Sequence, residues 1–183
     1  MADASAADRF WAFSLGLYDR PGVAPACLAL QDRCGLDVNL LLFCCWTAAE
    51  GRRALPEPAL RALIAAAEPW QDTVLRPLRA VRRGLKTGVA GVPEADSDAL
   101  RRRVAALELD AERIEQRLLA ASLPSLETAE TGDPARVAAA NLRLYLALRG
   151  VEPGPAERAA FATILTAAFP AADPAVVSFA AAG

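Results

Sequence analysis

The residues best equipped for chemistry in this chain are charged and fall in two stretches. Arg76, Arg79, Arg82 and Arg83 recur at short steps and are followed by Lys86. Steps of three and four put Arg76, Arg79 and Arg83 near one face of a helix. Guanidinium forks of this kind grip phosphate or carboxylate. Further on, Glu108 and Glu112 stand four apart and share a helical face. Paired carboxylates bind metal or move protons. If the two stretches pack as antiparallel helices, Arg76 lies near Leu107 or Glu108, and Asp72 approaches Arg113. The spacing therefore predicts an interhelical ladder of salt bridges, with an anion pocket built from Arg79, Arg82 and Arg83 as the alternative. For Glu108 and Glu112 it predicts a solvated or arginine-paired face. A di-iron bundle would add Glu-x-x-His motifs, and the chain has no histidine.

That missing residue type narrows the chemistry further. Histidine is the usual general base near neutral pH and the commonest metal ligand. Ser-His-Asp and Cys-His catalysis and two-histidine zinc sites are excluded within this chain. Cys27, Cys34, Cys44 and Cys45 include no C-x-x-C spacing. All four sit in apolar surroundings and read as small core residues, a pattern that fits a reducing cytoplasm. No Gly-rich phosphate loop, Walker motif or nucleophile elbow occurs. Accordingly no catalytic, cofactor or metal residue is assigned. With a net charge of −2, and Lys86 as the only lysine, no global field draws the chain to nucleic acid.

Aromatic side chains offer a different kind of surface. Trp11 and Tyr18 are seven apart and share a helical face. Trp46 reads as core, whereas Trp11, Tyr18 and Trp70 are candidates for an interface, where Trp, Tyr and Arg concentrate.

These residues must be carried by helices. Alanine, leucine and arginine dominate, and no period-two run of β-branched residues appears, so the fold class is all-α. Asp37 to Ala49 is apolar on nearly every side, with Asn39 and Thr47 its only polar side chains after the opening aspartate. A helix of that kind is wrapped by protein, and it is too short to span a bilayer. It is expected to be a scaffold that leaves any work to the exterior. Helices are expected at Ser5 to Tyr18, Val23 to Cys34 and Pro58 to Glu68. A fifth begins at Pro69 and runs to Lys86, kinked or split at Pro77. The sixth, Ser97 to Ala121, carries Leu100, Val104, Leu107, Ala111, Ile114, Leu118 and Ala121 in a coiled-coil-like seam. After a polar linker from Leu123 to Asp133, three more follow, capped by Asp133, begun at Pro155 and begun after Asp173-Pro174. The expected organisation is a bundle of eight or nine helices. Residues 1–122 form its core, and 133–183 are a segment packed on it. The opening residues lack the basic region of a secretory signal, and Pro170, Asp173 and Pro174 interrupt the apolar C-terminal stretch.

Several of these residues agree with one pattern. Phe10-Trp11-Ala12-Phe13-Ser14-Leu15, Tyr18, Pro21-Gly22-Val23, Ala26 to Gln31 and Gly35 to Leu42 resemble a family of short bacterial helical proteins of unknown function, known mostly from proteobacteria. Trp70-Gln71, Pro77 to Arg82, Glu108 and Glu112 fit its middle and its long helix. The resemblance covers roughly residues 8 to 120. It implies a helical protein without a transmembrane span, and it transfers no catalytic residue.

The functional expectation is a non-enzymatic, cytoplasmic interaction or adaptor module whose partner is another protein or a second copy, with no nucleic acid and no membrane span. The alternative is a helical bundle that binds a small molecule or anion through the fifth helix's arginines. A third reading is an enzyme using carboxylates and arginines.

Overall fold

A computed structural model describes residues 4–128 and 132–179. Residues 129–131 of the expected linker and the chain after 179 lie outside the described residues. The protein is all-α and forms a single domain. Its helices are α1 (Ala6–Tyr18), α2 (Val23–Cys34), α3 (Val38–Ala49), α4 (Glu57–Trp70), α5 (Arg76–Lys86), α6 (Glu94–Ala120), α7 (Pro134–Leu148), α8 (Pro155–Ala168) and the short α9 (Pro174–Val177). None of them is long and apolar enough to cross a membrane.

Local chemistry sets the first three. Ser5 caps α1 by accepting a hydrogen bond from the Asp8 N–H at 3.2 Å. Gly22 turns the chain at φ +82°, and Gly35 closes α2 in the left-handed region. Asp37 caps α3, its Oδ1 accepting from the Asn39 N–H at 2.8 Å. Every α3 residue from Asn39 to Ala48 is buried. Around it pack α1, α2, α6 and α7. Trp46 stacks on Phe10 at 4.8 Å between ring centroids, and Phe43 meets Phe10 edge-on. Such aromatic pairs add about 0.5–1.5 kcal/mol beyond their buried area. Polar stitches tie α7 into the same core. Asn141 accepts from the Leu55 N–H and donates to the Cys44 carbonyl, and Tyr145 Oη accepts from the Asp37 N–H at 3.0 Å.

The helix around Pro69 and Pro77 departs from expectation. Pro69 does not begin a helix; it lies within the last turn of α4. The chain then continues through one π turn, Gln71–Leu75, directly into α5. Proline has no N–H, and its ring collides with the carbonyl four residues back. Widening the turn ahead of Pro77 relieves that collision, and the Arg76 N–H donates to the Gln71 carbonyl five residues back. The π turn also brings Gln71 into the interior, where it is buried.

The sixth helix departs as well. It starts at Glu94, three residues before the expected Ser97. Of the expected seam, Val104 and Ala111 are buried, while Leu100, Leu107, Ile114 and Leu118 remain exposed. The buried face is rotated toward Ser97, Glu108, Glu115, Gln116 and Leu119. Carboxylates occupy it because α5 and the π turn supply their partners.

Candidate functional site

Beneath the surface shared by α3, α5 and α6 lies a connected set of polar side chains. Arg79, only 4 % exposed, sits at one end. Its Nη2 pairs with Glu112 at 3.1 Å and its Nε with Glu108 at 3.3 Å, while Nη1 donates to Gln71 Oε1 at 3.3 Å. Arg82 closes on Glu108 with two hydrogen bonds, of 2.5 and 3.1 Å. Gln71 Nε2 donates to both oxygens of Glu115, at 3.0 and 2.9 Å. Asn39 Nδ2 donates to Glu115 Oε2 at 2.5 Å, and Gln116 Nε2 donates to Asn39 Oδ1 at 2.9 Å.

The polarity of this chain of bonds is forced. A guanidinium only donates, so Gln71 must turn its oxygen to Arg79 and its NH2 group to Glu115. Asn39 must then offer its NH2 group to Glu115 and its oxygen to Gln116. Gln116 answers with its own NH2 group. Its Oε1 is left over, buried and without a partner.

Glu115 and Asp37 are buried carboxyl groups, and both are raised. Burial pushes Glu115 up to about 8, and the charge of Asp37 adds to the rise. Burial also raises Asp37, against the lowering effect of its bonds to the Asn39 and Leu40 N–H groups. Asp37 Oδ2 is buried without a hydrogen-bond partner. Like charges held in a shared buried site cannot both ionise.

Gln116 also forms part of the wall of a cleft. α1 contributes Trp11, Ser14, Leu15 and Tyr18; α2 adds Leu28 and Gln31; α3 adds Val38, Asn39 and Leu42. The far wall is Arg82 with the α6 residues Arg101, Ala105, Glu108, Leu109, Glu112 and Gln116. The cleft measures about 460 Å³. Ser14 Oγ, like Gln116 Oε1, is buried here without a partner. Burial raises Glu112 from its ordinary value, against the lowering effect of Arg79. Trp11 carries the Arg113 guanidinium over its ring at 5.6 Å. A smaller hollow of about 220 Å³ lies beside Arg76, Arg79 and Arg83, between the end of α2 and the start of α5.

The chain from 9 to 119 matches the family model described as "Protein of unknown function (DUF2390)". The chain belongs to this family. No curated protein and no solved structure matches. All of the cleft lining, from Trp11 to Gln116, lies within the span shared with the DUF2390 family, whereas Tyr145 lies beyond it.

The candidates from the sequence are sorted by this geometry. Arg79, Arg82, Glu108 and Glu112 come together, and Glu108 is buried rather than solvated. Arg76 does not reach Glu108; it pairs with Glu68 and Asp72 along its own helical run. Arg83 pairs with Asp32 of α2 at 3.2 Å. Asp72 does not approach Arg113, which turns to Asp8 of α1 instead. The register lies about seven residues from the expected one, so that Arg82, not Arg76, meets Glu108, and α6 runs on past the end of α5. Trp11 and Tyr18 line the cleft together, while Trp70 donates its indole N–H to the Ala111 carbonyl at 3.0 Å. Cys27, Cys44 and Cys45 are buried, Cys34 is half-buried, and all four are free thiols. Burial raises Cys27 and Cys45 to about 12.

Gln71, Glu115 and Gln116 are not among the sequence candidates, and Asp37 and Asn39 figure there only as polar residues of an apolar helix. The signal for them was present. Glu108, Glu112 and Glu115 follow the same four-and-three spacing as a core face, and Asn39 is isolated in an apolar helix. The scaffold reading of α3 is corrected too. Its first turn, through Val38, Asn39 and Leu42, forms part of the cleft wall.

Proposed function

We propose that this member of the DUF2390 family is a non-enzymatic binding module whose cleft takes a small amphipathic molecule bearing an N–H or O–H donor. The observation that carries the reading is the cleft itself, whose wall includes Ser14 and Gln116, each with a side-chain oxygen that is buried and without a partner. A buried acceptor without a partner costs about 1–3 kcal/mol, and a ligand's donor that displaces the cover over either oxygen recovers that energy. The volume, about 460 Å³, falls in the range of ligand sites. Trp11, Leu15, Leu28, Leu42 and Leu109 suit an apolar body. An anionic ligand is less well served, because Arg79 and Arg82 are already held by Glu108 and Glu112. The same pairing weighs against acid–base work by those glutamates. The free thiols support a reducing compartment, the cytoplasm.

The test follows the Trp11 indole resonance while benzamide, benzylamine or benzoate is titrated in. Benzamide or benzylamine is expected to shift it, benzoate to do so least, and Ala105→Trp, which fills the cleft from an exposed position, to remove the response. A panel that leaves Trp11 unmoved, or shifts that survive Ala105→Trp, would overturn the reading.

A second reading, a protein-binding adaptor, is favoured by the half-exposed leucines along α6.

A further inference from the structure

Outside the cleft, α6 presents a second surface without a partner. Leu100, Leu107 and Ile114 recur every seven residues, and Leu118 follows one turn later. At 100° per residue the four lie within about 40° of one another around the helix. They are 44–56 % exposed, and Leu107 is the most exposed large apolar side chain among the described residues. Scattered apolar residues on a surface are ordinary, but a continuous row marks an interaction site.

The row has a charged border on one side. Asp96, Arg103, Asp110 and Arg117 are also seven apart, all exposed, and their signs alternate. Among the described residues none of Asp96, Arg103 and Asp110 has an ion-pair partner, although the neighbouring Arg101 and Arg113 do.

We propose that α6 pairs with α6 of a second copy of this chain, antiparallel, about a two-fold axis at Leu107. Leu107 then meets its own copy, and Leu100 meets the other copy's Ile114. A two-fold axis perpendicular to the helices brings the charged border against itself with its direction reversed. Arg103 falls beside the other copy's Asp110, and Asp96 beside the other copy's Arg117. A parallel pair would put the two borders on opposite sides of the interface, where neither finds a counterpart. Charge complementarity therefore selects both the partner and its orientation. This commits the adaptor reading of α6 to self-association and is independent of the cleft.

Sedimentation equilibrium of the full chain over about 1–300 µM, a range suited to a small interface, tests it. The mass is expected to rise from 19.3 kDa toward twice that value. Leu107→Arg is expected to hold it at the monomer. Arg103→Glu and Asp110→Arg should each weaken pairing about tenfold or more, and the double variant should recover most of the loss. All three positions are exposed, and circular dichroism checks that each variant is folded. A monomer at every concentration, or a dimer indifferent to Leu107→Arg, overturns the proposal. A double variant no tighter than its single parents overturns the antiparallel register. Loss of a different protein partner by Leu107→Arg, in a chain that stays monomeric, overturns self-pairing while leaving the adaptor reading standing.

Discussion

Arg79→Met is the sharpest perturbation of the buried network. The substitution keeps much of the side chain's length and removes only the guanidinium. Three groups lose a donor. Gln71 Oε1 loses its contact at 3.3 Å, and Glu112 loses its ion pair at 3.1 Å. Glu108 keeps Arg82 alone. Removing one member of a buried charge pair costs about 3–5 kcal/mol, because the other is left uncompensated. In a chain of this length each kcal/mol lowers Tm by about 2–4 °C. The expected fall is therefore about 6–20 °C, read by calorimetry at pH 7. Arg83→Met is the control. Its pair with Asp32 is solvent-exposed on both sides and is expected to contribute under about 1 kcal/mol. Adding Glu112→Gln to Arg79→Met should return part of the loss, since the orphaned charge goes with it. If Arg79→Met melts no lower than Arg83→Met, the ladder does not hold α5 to α6 and the reasoning fails.

Two further outcomes follow from the same geometry. Glu115 is held at about 8 in the folded chain against 4.5 for the free group, so the folded state binds the extra proton between these values. Stability is expected to fall as pH rises from about 5 to 8, and Glu115→Gln should flatten that slope in urea titrations at several pH values; an unchanged slope would place the proton elsewhere. Ser14→Ala removes a buried hydroxyl without a partner and adds a better helix former, so stability should rise by about 1 kcal/mol while any cleft ligand binds more weakly. A less stable Ser14→Ala would mean that the hydroxyl has a partner within the fold.

Much of the architecture was legible because it rests on local rules. Asp133 caps α7 where expected, Ser5 and Asp37 cap the two helices they were expected to open, and α2 closes on Gly35 after the expected Cys34. The apolar α3 is buried for the reason its composition states. The seam on α6 failed because heptad spacing reports amphipathicity and not which face meets the core. Two faces of α6 carry period-seven rows, and the one with glutamates faces inward. Hydropathy alone could not choose it, since the choice depends on Arg79 and Gln71 from another segment. Arg79 and Gln71 are themselves aimed by the π turn ahead of Pro77, whose offset from Pro69 periodicity does not reveal. The pairing of Arg79 and Arg82 with Glu108 and Glu112 was visible in outline, while the register and the amide relay were not.

The relay also explains why the cleft sits where it does. An apolar core of the same volume would be at least as stable as paired buried charges, so stability alone does not call for Arg79, Glu108, Glu112 and Glu115 to meet. What the arrangement delivers is direction. Arg79 can only donate, and each amide between it and Gln116 has to pass that polarity along. The relay therefore ends on an acceptor, and it ends on a residue of the cleft wall, to which Ser14 contributes a second buried oxygen in the same condition. Gln116 Oε1 cannot relieve itself by flipping, because its NH2 group would abandon Asn39 Oδ1, and Asn39 cannot turn without breaking from Glu115. Rigid support of this kind fixes a polar group for a ligand ahead of binding, and lowers the ordering penalty that binding would otherwise carry.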